Sequence, residues 1–128
     1  MPENRVYGYA RVSTPTQKLE RQIRNIEAAD KSAIIYSDKF TGMTLNRPEW
    51  NKLYKRLNEG DTVIFDSVSR MSRDAAEGIR IYEECFDRNI SLIFLKEPHI
   101  NTDVYREAIK RQIEVSIDTG DKPTDEFI

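Results

Sequence analysis

Metal and disulfide chemistry have little to draw on in this sequence. One cysteine, Cys85, and one histidine, His99, stand among 128 residues. A single thiol excludes an internal disulfide, and the two residues together make no metal-ligand cluster. No apolar run approaches the ~20 residues that a membrane-spanning helix needs. The opening Met1-Pro2-Glu3-Asn4-Arg5 lacks the apolar centre of a signal peptide. Charge of one sign is missing too: 20 Lys and Arg face 22 Asp and Glu, a net charge of −2. Bulk electrostatics therefore do not make this chain a nucleic-acid binder, although arginines gathered locally can still build an anionic site. A reducing cytoplasm and no membrane partner fit these absences.

What is present describes one ordinary globular domain over residues 1–128, with 38% apolar and 33% charged residues. Repeats and low-complexity tracts are absent. Strand-like runs alternate with helical periodicity. Val6 to Val12 reads as a first strand, Ala33-Ile34-Ile35-Tyr36 as a second, Val63-Ile64-Phe65 as a third and Ser91 to Leu95 as a fourth. A first helix runs to about Ala29, with Leu19, Ile23 and Ile26 on its apolar face. A second starts at Asn46 or Arg47, has Pro48 in its first turn, and buries Trp50, Leu53, Tyr54 and Leu57 before Gly60 ends it. A third spans Ala75 to Arg88, opened by Asp74 and Glu77 as a capping pair, with Ala76, Ile79, Tyr82 or Glu83, and Phe86 facing the core. Cys85 packs near that face as a small buried hydrophobe. A last helix, capped by Asn101 or Thr102, covers about Asp103 to Ile117. Ser37 to Thr44 is polar, contains Gly42 and reads as a mobile loop. The alternation predicts an α/β fold of three layers: a parallel-rich central sheet of about four to five strands with helices on both faces.

One stretch is the focus. Tyr7-Gly8-Tyr9-Ala10-Arg11-Val12-Ser13 begins as a strand and meets a complete helix-start signal in Thr14, Pro15 and Gln17. Ser13 falls at the turn, where helix N–H groups favour a phosphate, and Arg11 lies two residues earlier. In open α/β sheets the ligand crevice lies at the carboxyl ends of the strands. That rule gathers Arg11 and Ser13 with Ser69, Arg70 and Arg73 after the third strand, while Arg47 borders the loop that can close over them. Each arginine alone is an ordinary surface charge. Together they can hold the equatorial and leaving oxygens of a phosphodiester under attack by a hydroxyl, without a metal ion. The Val12-Ser13-Thr14-Pro15 turn is not the glycine-rich loop that a flavodoxin-like phosphate binder would need.

These residues also carry a resemblance. Tyr9-Ala10-Arg11-Val12-Ser13-Thr14, followed by Gln17 and Gln22, resembles the opening motif of the serine recombinases, the resolvase and invertase family. Asp38 with Thr41-Gly42, then Arg47-Pro48, resembles the second block of that family. Gly60-Asp61 leading to Ser69-Arg70-Met71-Ser72-Arg73 resembles the third. The resemblance implies a resolvase-like catalytic domain for site-specific DNA recombination. Ser13 would be the nucleophile, forming a 5′-phosphoserine link to DNA, with Arg11, Arg47, Arg70 and Arg73 holding the phosphate. Gln17, Gln22, Asp38 and Ser69 would support them, and neither a metal nor another cofactor is implied. Family members continue into a dimerisation helix and a DNA-binding domain, and this chain stops at Ile128 before them. Most DNA affinity, and assembly into a homodimer or homotetramer, are therefore expected of missing C-terminal regions. One departure is chemical. Ser69 stands where the family has Asp, and a hydroxyl cannot carry that charge. A catalytically impaired regulatory or assembly module is the alternative this departure raises.

Overall fold

The computed structural model describes residues 4–12, 19–39, 47–72 and 74–119. In chain order these form β1 (Val6–Arg11), α1 (Leu19–Ala29), β2 (Ile34–Asp38), α2 (Pro48–Arg56), β3 (Thr62–Phe65), α3 (Ala75–Asp87), β4 (Ser91–Phe94) and α4 (Thr102–Thr119). The strands make one four-stranded parallel sheet in the order β2-β1-β3-β4. The expected α/β architecture is thus present. The chain leaves β1 on one side to make β2 and crosses back to make β3, so the switch point lies between β1 and β3.

Alternation along β1 explains the two covered faces. Tyr7 and Tyr9 enter the larger core with Trp50 and Leu53 of α2, Phe65 of β3, and Ile81 and Cys85 of α3. Gly8 points the opposite way, against α1. A Cβ built there would stand 2.6 Å from Ile26 Cγ2 and 2.8 Å from Ile35 Cδ1. Glycine leaves that space to the Ile26 and Ile35 side chains, which would have to shift for a larger residue. Tyr9, Phe65 and Phe94 are fully buried, and their rings run across the sheet through Phe65, 6.2 Å from Tyr9 and 5.3 Å from Phe94.

Several elements differ from the sequence reading. β2 continues to Asp38 and pairs it with Arg11, so Ser37 and Asp38 belong to the sheet and not to the loop. Phe40 to Asn46 lie outside the described residues. α2 stops at Arg56, with Leu57 as its cap, and Gly60 occupies the following turn at φ +92°, a conformation that favours glycine. The buried residues of α3 are Ile81 and Cys85, whereas Ala76, Ile79 and Glu83 are exposed and Tyr82 and Phe86 half-buried. The helix has apolar side chains on two sides, and Ile79 and Tyr82 line an open groove with Val104 and Tyr105 of α4.

Asn101 stands at the start of α4, its carbonyl accepting from the Val104 and Tyr105 N–H groups, and its side chain and that of Thr102 have a further task. β4 is an edge strand whose outward N–H groups would otherwise be open to another chain. Thr102 Oγ1 accepts from the Leu92 N–H at 2.8 Å, and Asn101 Oδ1 accepts from the Phe94 N–H at 2.7 Å. Two side chains thereby occupy the positions that a fifth strand would take.

Candidate active site

Arg11 ends β1 two residues beyond the last pairing with β3, which joins Tyr9 to Phe65. Gln22 of α1 takes over from the missing strand. Its Oε1 accepts from the Arg11 N–H at 3.0 Å, and its Nε2 donates to the Arg11 carbonyl at 2.9 Å. Both partners are buried, so this amide fixes the arginine's backbone as a ladder would. The guanidinium then reaches the turn after β3. Arg11 Nη2 donates to the Ser69 carbonyl at 2.6 Å, and Nε lies 3.5 Å from the Arg70 carbonyl.

That turn is a short 3-10 segment over Val68–Arg70. Its first N–H, of Val68, is held by Glu97 Oε1 at 2.9 Å. Arg47 reaches the same turn from the start of α2. Its Nη1 donates to the Met71 carbonyl at 2.6 Å, and its Nη2 pairs with Glu77 Oε1 at 2.8 Å. The guanidinium also lies 5.5 Å from the centre of the Trp50 ring. Consecutive carbonyls of residues 69, 70 and 71 are therefore all approached by arginines from other elements.

Asp38 fixes where α2 begins. Arg47, the residue that opens the helix, offers it no side-chain cap. The Asp38 carboxylate does so from β2, accepting from the Glu49 N–H at 3.1 Å and the Trp50 N–H at 3.0 Å. It also accepts from the Tyr9 hydroxyl at 2.6 Å. Burial, and then this bond to Asp38, push the Tyr9 hydroxyl far above its ordinary range, so it remains a donor. A negative charge at a helix N-terminus is favoured by the helix dipole as well.

The position that departs from the family motif is also explicit. Ser69 Oγ and Ser67 Oγ are 2.9 Å apart. Asp66, the nearest preceding carboxylate, accepts from Asn25 Nδ2 at 2.9 Å and pairs with Lys96 Nζ at 3.1 Å. Its charge is committed to α1 and to the residues after β4, and does not substitute at Ser69. Asp74 caps α3 as expected, accepting from the Glu77 N–H at 2.8 Å. The other half of the expected capping pair is used elsewhere, since the Glu77 carboxylate goes to Arg47 and to Ser72 Oγ at 2.9 Å. Sequence reasoning left Glu77, Tyr9 and Ser67 out of the site. The acid spaced three residues after Asp74 was the available signal for Glu77, and it pointed to helix capping.

Ser13, Gln17 and Arg73 lie outside the described residues. Of the remaining candidates, Arg11, Arg47, Arg70, Ser69, Gln22 and Asp38 are brought to the carboxyl ends of β1, β2 and β3 or to the elements that support them. No group of three or more His, Cys, Asp and Glu suited to a metal ion occurs among the described residues.

Comparison with known proteins gives the family. Residues 6–117 match the family model described as the resolvase N-terminal domain. The chain belongs to the resolvase family. A resolvase/recombinase of Pseudomonas putida is 36% identical over 94 residues, 73% of this chain and 52% of that protein. The Tn3 transposon resolvase of Escherichia coli is 34% identical over 100 residues, 77% of this chain and 54% of the relative. The chain thus spans about half the length of these curated relatives. Among solved structures, a serine recombinase from Sulfolobus solfataricus shares the fold at a TM-score of 0.63 and 22% identity, covering 89% of this chain and 84% of its own. A resolvase-family site-specific recombinase from Streptococcus pneumoniae does so at a TM-score of 0.61 and 21% identity, covering 92% and 95%. Both likenesses are of fold.

The start of α2 and the buried Tyr9 hydroxyl depend on Asp38, which gives a stability test. Asp38→Ala leaves the buried Tyr9 hydroxyl and two helix N–H groups without their acceptor, and is expected to cost about 3 kcal/mol in urea unfolding. Tyr9→Phe removes one bond and leaves the cap, at about 1 kcal/mol. A loss at Asp38→Ala no larger than at Tyr9→Phe would contradict the anchoring role.

Proposed function

We propose that this chain is the catalytic domain of a site-specific DNA recombinase that works through a serine–DNA phosphodiester. The observation that carries the reading is the convergence of Arg11 and Arg47 on the turn bearing Ser69 and Arg70, beside the strand end from which Ser13 follows. In this reading Ser13 Oγ attacks the scissile phosphorus. The bond from phosphorus to the 3′ oxygen breaks, and that oxygen leaves with the electron pair and takes up a proton. The 5′ phosphate stays esterified to Ser13. Attack by a 3′-hydroxyl from the exchanged partner reverses these steps, so the phosphoester is conserved and no nucleotide cofactor is consumed. Arg11, Arg47, Arg70 and Arg73 supply fixed positive charge to the phosphate oxygens, where most of the stabilisation of such a transition state resides. Gln17 and Gln22 support the first strand end and the helix after it.

DNA is the substrate, but this acidic chain is not its main source of affinity. Parts of the protein outside residues 1–128 are expected to supply most of the phosphate contacts and most of the assembly into dimers and tetramers. The surface here that fits a second copy is the apolar side of α4, where Tyr105, Ile109, Ile113 and Ile117 recur every fourth residue and stay exposed. Ile113→Glu should lower self-association of the full-length gene product in sedimentation equilibrium without changing its melting temperature. Unchanged association would remove α4 from the interface.

The alternative, a resolvase-like regulatory module impaired in catalysis, is favoured by the hydroxyl pair at Ser67 and Ser69 in place of a carboxylate. One experiment separates the two. The full-length gene product on a DNA carrying its site should trap a covalent adduct that is insensitive to EDTA. Ser13→Ala should abolish the adduct while leaving site binding near normal. Wild-type protein that binds but never forms an adduct would favour the regulatory module.

A further inference from the structure

Arg47 is held by two kinds of partner. One is fixed: the Met71 carbonyl at 2.6 Å, in a buried contact, and the Trp50 ring beneath the guanidinium. The other is open to solvent. Glu77 pairs with Nη2 at 2.8 Å while its side chain keeps 35% of its exposure, against 9% for Arg47. Ser72 Oγ, 2.9 Å away, steadies the same carboxylate oxygen. The helix does not need this carboxylate for its start, because Asp74 caps α3 and the Asp74 N–H lies 3.3 Å from Ser72 Oγ. The pair is half-buried, with Arg47 inside and the Glu77 carboxylate in reach of water, which screens it. Removing Glu77 from Arg47 therefore leaves the guanidinium placed by its carbonyl and its ring, with one edge available to another anion.

We infer that Glu77 is a built-in competitor for the phosphate at Arg47: its carboxylate occupies the guanidinium edge that a DNA phosphate takes, and must be displaced before Arg47 joins the reaction. The inference rests on the reading of Arg47 as a phosphate ligand. Glu77 meets Arg47 through one oxygen, Oε1 on Nη2, while Nη1 stays on the Met71 carbonyl; a phosphate oxygen can accept from Nη2 in its place without moving the arginine. Cleavage is thereby restrained at the arginine until a phosphate arrives with enough further contacts to outcompete an attached carboxylate.

The chain carries its own reporter, because Trp50 is the single tryptophan and lies 5.5 Å from the Arg47 guanidinium carbon. Residues 1–128 are titrated with inorganic phosphate at constant ionic strength and followed by Trp50 fluorescence. Glu77→Gln is expected to tighten phosphate binding roughly fivefold, the scale of one water-screened ion pair. The gain should vanish in an Arg47→Gln background. Glu83→Gln, which removes an exposed charge elsewhere on α3, should give less than half of that gain. Glu77→Asp keeps the charge but shortens its reach; it should shift affinity in the same direction by a smaller factor, and stands in if the Gln variant loses its melting transition. Arg47-dependent phosphate binding that neither Glu77 variant strengthens would overturn the inference alone. Phosphate binding indifferent to Arg47→Gln would overturn the reading of Arg47 along with it.

Discussion

Arginine forks fastened to the backbone of one turn hold this site together. The carbonyls of Ser69, Arg70 and Met71 accept from Arg11 and Arg47, which arrive from the end of β1 and the start of α2. A guanidinium cannot deprotonate at physiological pH, and its planar donors suit carbonyls and phosphate oxygens alike. The same contacts that order the turn therefore concentrate positive charge where the sheet opens between β1 and β3. On the proposed function, an acidic chain would in this way gain a local phosphate site without becoming a general DNA binder.

Two neutral or acidic side chains make those arginines dependable. Gln22 replaces the missing ladder partner of Arg11, and Asp38 caps α2 so that Arg47 starts it in a fixed place. Both act on backbone and neither needs to touch substrate. The family motif thus contains residues whose task is to place other residues. Tyr9 belongs with them, since its buried hydroxyl completes the Asp38 cluster from the strand that carries Arg11.

Much of this was legible in the sequence because local signals and global fold agree. Val63-Ile64-Phe65 reads as a strand covered on both faces and is one. Arg11, Asp38 and Arg47 are recognisable from motif order, and the sheet rule brings them to one end. The failures have physical causes. Ser37-Asp38-Lys39 looks polar and reads as loop, and only pairing with Arg11 and the needs of α2 and Tyr9 make Asp38 strand. The core side of α3 was misread because Ile79 and Tyr82 form a second apolar side with α4, and periodicity cannot choose between two such sides. Glu77 was read as a capping residue because i+3 spacing cannot show that an arginine 30 positions earlier competes for the carboxylate.

Hydroxyls are plentiful around the arginines. Ser67, Ser69 and Ser72 all border the turn. On the proposed function the covalent step falls to none of them but to Ser13. Peptide mapping by mass spectrometry of the protein–DNA adduct, formed by the full-length gene product on a nicked site and digested to the linked nucleotide, tests that assignment most directly. The account predicts a nucleotide 5′-phosphate on the peptide that contains Ser13. The same mass addition on a peptide containing Ser67, Ser69 or Ser72, with the Ser13 peptide unmodified, would contradict it.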